Sequence, residues 1–461
     1  MTDPLSPATA PSWPLPDPRT AGQRELDKPA VRAQVSVLTT PNSDAQAKQE
    51  VDRLIERIRV RQSTAGAGQS TRFLTFAQDG STRPGMAVEN ELVIDADDQQ
   101  IAQLGTALDG YDLTPRPGGP PGRRSRVFRS RTAKTIAQLR ADAQRIRDRQ
   151  VPATVNSVVP LGYVIKGNSY PASTAGPLTF TPSGGTAPVR VAIIDTGLTA
   201  ETRNDGWFTG AVPGGPDGVD PVNVLAPLDR IDFHGGHGTF ASGIVKQLAP
   251  NCEVVVYRFT ATDGLGTDAS AAEMLVRAAD EGAGKRLIIN ASFGAPAVDG
   301  VPPLAMKEAV QYITQQYPEA MIVASAGNDA GVQPIYPAAF PQPAVKAVGA
   351  LNADLTGAAF SNRGNWVDCS AVGVGIVSTF VKGKLPPETD LGADISFGNN
   401  SWATWSGTSF TAPQISGAVA RLCADNPALT PQQAFTQLVT GRPTLSQFGT
   451  VVHLLPGTPT S

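Results

Sequence analysis

The sequence predicts an α/β fold, a parallel sheet covered on both faces by helices, with a smaller α+β region ahead of it. Three observations point there. Short, almost continuously apolar runs recur at 189–194, 253–259, 286–290, 320–325 and 344–349. Segments with helical spacing lie between them, and a strand–helix–strand pattern of this kind buries both faces of a parallel sheet. Glycine and proline cluster upstream, in residues 1–30 and 114–122, and separate this region from the rest.

In chain order, residues 1–42 are rich in Pro, Ala, Thr and Ser without a period, and are expected to be disordered. Val51, Leu54, Ile55 and Ile58 then recur at helical spacing to about Gln62. Residues 72–77 and 91–95 read as strands, and Ile101, Leu104 and Leu108 as a helix after the second. The Pro/Gly/Arg-rich stretch Arg116–Arg131 reads as a solvated linker, or more sharply as a processing site. Ile136, Leu139, Ala143 and Ile146 mark another helix. The small α+β region thus covers 43–150, and linker and entry strands cover 151–185. The main domain runs from 186 to 445, and a tail from 446 to 461. Within the main domain, Phe240, Ile244 and Leu248 form one helical face, as do Ala271, Leu275 and Ala278. Val310, Ile313 and Tyr317 form a third after Pro302-Pro303.

Composition excludes some classes. The 461 residues are 41% hydrophobic and 17% charged with a formal net charge of −3, too slight a bias to suggest nucleic acid as the main partner. The apolar runs fall short of the roughly 20 residues that span a bilayer, so no membrane segment is expected. Met1–Leu15 lacks a basic stretch followed by an apolar one, which makes a cytoplasmic location the default expectation. Cys252, Cys369 and Cys423 are too few and too dissimilar in setting for a disulfide framework, and are expected to pack as small apolar residues.

Four segments carry candidate chemistry. Val191–Gly197 ends a buried strand in Asp195, where open α/β sheets build their sites. Taken singly, such an Asp is more often a turn residue. His234–Gly243 holds His237 among glycines at the start of a helix, with room for a substrate backbone beside the ring, whereas His234 reads as a loop residue or one standing behind it. Trp405–Pro413 places Ser409 at a helix N-terminus, where negative charge on its oxygen is favoured; an N-cap is the plain alternative. Val323–Asp329 is a strand running through a glycine to Asn328, either a turn or a donor to an oxyanion.

Together Asp-Thr-Gly, His-Gly-Thr-x-x-x-Gly, Ala-Gly-Asn and Gly-Thr-Ser-x-x-Ala-Pro, in that order, resemble the signature segments of the subtilisin-like serine proteases. The resemblance covers about 186–440. It implies a subtilisin-like sheet and an endopeptidase acting on protein or peptide substrates, with Ser409 as nucleophile, His237 as general base, Asp195 as its orienting carboxylate and Asn328 as oxyanion donor. It also implies substrate-binding walls at Gly264, Leu265 and Gly266 and at Ser292, Phe293 and Gly294, with Ala326 and Gly327 lining the pocket for the side chain before the scissile bond. Without it both walls read as ordinary loops. The chain departs from many relatives in having the single Gly294 before Ala295-Pro296, so the side-chain preference is not predicted, and in Phe410 after the nucleophile. No cofactor is required for the chemistry, and structural calcium is left open because no acidic cluster reads as its loop. The N-terminal region is expected to be either a propeptide that inhibits the enzyme intramolecularly or a permanent regulatory domain. A lipase-type elbow fails because Thr411, not Gly, follows Ser409 by two. A catalytically silent binding scaffold is the remaining alternative.

Overall fold

The computed structural model describes residues 13–39, 55–56, 58–60, 63, 71–76, 84–115, 123–161, 170–176, 188–341, 343–385 and 395–460. Its centre is a nine-stranded sheet. From one edge the strands are Thr444–Leu445, Gly449–Val452, Cys369–Val372, Val345–Leu351, Met321–Ser325, Arg286–Ala291, Val189–Asp195, Glu253–Arg258 and Ala211–Pro213. Every pairing is parallel except the hairpin of the first two.

Side chains alternate across a strand, so one strand feeds two cores. Val191 and Ile193 pack with Phe240, Ile244 and Leu248 of the helix His237–Leu248 and with Ile415 and Val419 of the helix Ala412–Asp425. Ala192 and Ile194 face the opposite cluster, with Leu275 of Asp268–Glu281 and Val310 and Ile313 of Leu304–Gln316. The two-sided parallel sheet expected from the apolar runs is therefore present. Cys252, Cys369 and Cys423 are buried free thiols.

Ahead of it lies an antiparallel sheet of Phe73–Phe76, Gly85–Asp95, Tyr111–Leu113, Ser125–Ser130 and Ala153–Pro160. The helices Asp98–Leu104 and Ile136–Arg147 belong to the same unit, and Leu104, Leu139, Ala143 and Ile146 close its core over Leu92, Ile94 and Phe128. Ser125–Ser130 is a strand inside the stretch read as a solvated linker; residues 116–122 lie outside the described residues. In this strand Ser125, Val127, Phe128 and Ser130 are buried while Arg129 is exposed, so the arginines at 126 and 129 hide a largely buried strand in a charged sequence. Of the helix expected at 51–62, Ile55 and Ile58 are described and buried beside Phe73, Met86 and Val158; residues 51–54 lie outside the described residues.

Two terminal expectations are corrected. Residues 21–39, read as disordered, form a helix whose buried residues are Asp27, Val31, Gln34 and Leu38. Those positions keep helical spacing, but two of the four are polar, so no apolar period reveals them. Residues 446–461, read as a tail, instead supply the strand Gly449–Val452 to the main sheet and bury Leu454, Leu455 and Thr458. No described helix is long and apolar enough to cross a membrane.

Candidate active site

Asp195 ends its strand fully buried, one residue past the last apolar position. Its Oδ1 accepts from the Thr196 backbone N–H at 2.7 Å, and both its oxygens lie 2.8 Å from His237 Nδ1. This carboxylate contact sets the imidazole's orientation and the tautomer with the proton on Nδ1. His237 opens the helix His237–Leu248, and the strand end and helix start touch closely at Gly238, where a Cβ would meet Gly197 O at 2.3 Å. Only glycine permits that approach.

Beneath this pair sits Asp220, which no motif announced. One of its oxygens accepts from Thr196 Oγ1 at 2.7 Å and the Gly236 N–H at 2.8 Å, the other from the Val222 N–H at 2.8 Å. Thr196 adjoins Asp195 and Gly236 adjoins His237, so one buried carboxylate braces both. Burial pushes the Asp220 pKa up to about 6, against the pull of its hydrogen bonds to Gly236, Thr196 and Val222. His234 is also buried, its ring centroid 5.9 Å from that of His237, and its Nδ1 donates to Asp263 O at 3.1 Å. Burial, aided by the neighbouring His237, lowers its pKa to about 3, so it stands neutral behind the first histidine.

Ser409 lies in the turn Thr408–Phe410, just before the helix Ala412–Asp425 rather than at its cap position. Its hydroxyl donates to Leu161 O at 3.1 Å and approaches Ser292 O at 3.4 Å. Among the described residues no hydrogen bond joins it to His237, because the hydroxyl is turned toward the Leu161 carbonyl. Asn328 is oriented by Thr408, whose N–H and Oγ1 donate to Asn328 Oδ1 at 2.8 and 2.9 Å. An amide held by its oxygen directs its NH₂ group the other way. Asn362, unnoticed in the sequence, holds this loop. Its Nδ2 donates to Ala326 O at 2.9 Å, its N–H donates to Gly327 O at 2.9 Å, and its Oδ1 accepts from the Asp329 and Gly331 N–H groups.

The two wall segments flank an extended piece of the chain itself. Leu265–Thr267 pairs antiparallel with Val158–Pro160, and Leu161 N–H donates to Gly264 O at 3.0 Å. On the other side Gly294 N–H reaches Pro160 O at 3.4 Å. The Leu161 side chain is 2% exposed and joins the apolar cluster containing Ala291, Phe293 and Ala324. Phe293 lies on Phe259 at 4.4 Å between centroids. Ser292 points inward: its Oγ donates to Ser409 O at 2.9 Å and accepts from Asn290 Nδ2. Ser409 and both wall segments thus meet at Pro160-Leu161, Thr408 ties Asn328 to the turn that holds Ser409, and Asp195 and His237 form a second bonded pair. Such an arrangement can attack an acyl carbon, move a proton through an imidazole and hold an oxyanion.

Residues 186–450 match the family model described as the subtilase family. A thermophilic serine proteinase of Bacillus sp. (strain AK1) is 32% identical over 250 residues, which cover 52% of this chain and 53% of that protein. Subtilisin BL of Lederbergia lenta is 28% identical over 250 residues, covering 52% of this chain and 78% of that protein. The match therefore spans about half the length of the first relative and about three-quarters of the second. Among solved structures, fervidolysin from Fervidobacterium pennivorans, a keratinolytic enzyme related to subtilisin, aligns with a TM-score of 0.54 at 17% identity, over 86% of this chain and 64% of that one. At that identity the likeness is one of fold.

Proposed function

We propose that this chain, which belongs to the subtilase family, is a serine endopeptidase that hydrolyses protein or peptide substrates through an acyl-enzyme on Ser409. The observation that carries this reading is the Leu161 carbonyl, held 3.1 Å from Ser409 Oγ at the end of a segment paired as an added strand. In this reading Ser409 Oγ attacks a peptide carbonyl carbon and its proton passes to His237 Nε2. Asp195 stabilises the imidazolium. Asn328 Nδ2 and the Ser409 N–H hold the oxyanion. The C–N bond then breaks as His237 returns the proton to the leaving amine, and water, deprotonated by the same ring, releases the acyl group. Gly264, Leu265, Gly266, Ser292, Phe293 and Gly294 supply the walls, and Ala326 and Gly327 the adjoining pocket.

The same observation favours a propeptide over a permanent regulatory domain. In this reading Val158–Leu161, paired with Leu265–Thr267, stands in for a bound substrate, with Leu161 at the acyl position. The sheet of the unit 73–161 rests on the helices Asp268–Glu281 and Leu304–Gln316, where Val93 and Val127 join the catalytic core. In this reading the unit inhibits until the bond after Leu161 is cut and it leaves the cleft, while the arm at 13–39 stays on the catalytic body. Wild type is expected to shorten after Leu161 and to gain activity on a peptide library, while Ser409→Ala stays whole and inactive. A wild type that stays intact yet cleaves peptides would overturn the propeptide, and one that cleaves nothing would overturn the enzyme.

A further inference from the structure

Residues 13–39 precede the region matched to the family and share no sheet with the inhibitory unit, yet they are built into the catalytic body. Trp13 and Leu15 pack on its main core, and Leu15 N–H donates to Leu454 O at 2.9 Å. Arg19, 4% exposed, binds Asp27 at 2.8 Å and Thr458 Oγ1 at 2.7 Å, and Thr458 in turn donates to Gly375 O. Val31, Val35 and Leu38 cover Ala350, Ala358, Phe360 and Val374.

The residue of this helix that bonds to the segment just ahead of Ser409 is Gln34, also 4% exposed. Its Nε2 donates to Thr404 O at 3.0 Å and to Tyr170 O at 2.7 Å, while its Oε1 accepts from Ser406 Oγ at 2.8 Å. Thr404 belongs to the strand Trp402–Trp405 that leads to the nucleophile, and Ser406 stands three residues ahead of Ser409. Ser406 Oγ also accepts from Gly375 N–H at 2.9 Å, and Gly407 N–H donates to Gly373 O at 2.9 Å. A single buried amide thus ties the strand leading to Ser409 to a helix 370 residues upstream.

We propose that residues 13–39 are a part of the catalytic body and not of the inhibitor, and that Gln34 is a positioning residue for Ser409. It holds Thr404 and Ser406 in the register that presents the nucleophile to the cleft. The amide suits this work because it donates and accepts at once, and no apolar residue could satisfy a carbonyl and a hydroxyl in one buried place. The proposal rests on the endopeptidase reading for its catalytic consequence but not for its structural one, so the experiment reads the two apart.

Gln34→Ala and Val31→Ala are compared in the full-length chain by kcat and KM on a peptide substrate and by thermal melting. Gln34→Ala is expected to lower kcat between about tenfold and a hundredfold with KM nearly unchanged, the scale on which displacing a reacting group by about an ångström acts. Val31→Ala removes packing on Phe360 without touching the Ser409 strand, and is expected to lower the melting temperature while sparing kcat. Equal kcat losses in the two variants overturn the positioning role. Alongside, both changes are made in Ser409→Ala and followed by amide hydrogen exchange. Gln34→Ala is expected to speed exchange at 402–406 and leave 85–95 unchanged, and unchanged exchange at 402–406 overturns the proposal even if the wild type proves to cleave nothing. Absence of all peptide cleavage with the expected exchange pattern sinks only the endopeptidase reading.

Discussion

At the scale of single residues, the candidate site is a small set of groups each held by a second one. Asn328 depends on Thr408, Ser409 on Ser292 through its carbonyl, and Asp195 and His237 jointly on Asp220. If Asn328 is the oxyanion donor, Asn328→Ala lowers kcat about 10²- to 10³-fold with little change in KM, the ordinary loss for one such donor. A kcat within threefold of wild type would remove Asn328 from that role. Asp220 adds a pH dependence. Its pKa is raised in the fold to about 6 from an ordinary 3.8, so the folded chain binds a proton more tightly than the unfolded one. Its stabilising contribution is complete below about pH 4 and is lost as pH rises through 6, on the order of 3 kcal/mol in all. Asp220→Asn is therefore expected to flatten the change of unfolding free energy between pH 4 and 6, checked by denaturant titration across that range. It also leaves one of the three donors around Asp220 badly served, so kcat should fall while that slope disappears. A variant with the wild-type pH slope would show that Asp220 does not titrate there.

At the scale of elements, what matters is how strands and helix ends meet. Leu304–Gln316 has Pro303 at its start and no cap of its own; instead buried Asp268, from the neighbouring helix, accepts from the Ala305 and Met306 N–H groups at 3.0 and 2.8 Å. The same helix presents Glu308 to the N-terminal unit, where its carboxylate takes the Arg124 N–H at 2.6 Å, the Ser125 N–H at 3.1 Å and the Ser125 hydroxyl. Hydrogen bonds to a charged group contribute about 1.5–3 kcal/mol. If the N-terminal unit is the inhibitor, Glu308→Ala should weaken its hold on the main domain by about tenfold or more, measured as the inhibition constant of the separated unit after remixing. An unchanged constant would show that the interface does not rely on this contact. Gly264 lies at φ +78°, and a Cβ there would come within 2.3 Å of His234 Nδ1. Gly264→Ala is expected to distort the wall strand and raise KM more than it lowers kcat, since the strained position pairs with the occupant of the cleft and not with the reacting groups.

For the whole molecule, two parts pack on the main body at different places: residues 158–161 lie against Leu265–Thr267 and Ser409, and the arm at 13–39 packs on Ala350, Phe360 and Val374 and bonds to Thr404 and Ser406. The inhibitory reading commits to the bond after Leu161. A carboxylate there would have to enter the cluster of Ala291, Phe293 and Ala324, and burying an unpaired charge costs several kcal/mol. Leu161→Asp should slow self-cleavage at that bond at least about 10²-fold, followed by intact mass over time. Cleavage at the wild-type rate and position would mean that Leu161 does not occupy the acyl pocket.

The fold class was legible in the sequence because strands buried on both faces leave long apolar runs, and the family because its four signature segments each carry their own short pattern around Asp195, His237, Asn328 and Ser409. Those features are local, and a local pattern survives in one dimension. Asp220, Asn362, Leu161 and Gln34 carry no such mark. Each acts on groups brought near it only by the folded chain, and each is buried and polar, or apolar among many alike, so periodicity passes over it. The arm helix was missed for the same reason, since Asp27 and Gln34 occupy its inner face where the period calls for apolar side chains. The tertiary structure alone decided which segment lies against Ser409 and which bonds to the strand before it, because both depend on contacts between residues hundreds of positions apart.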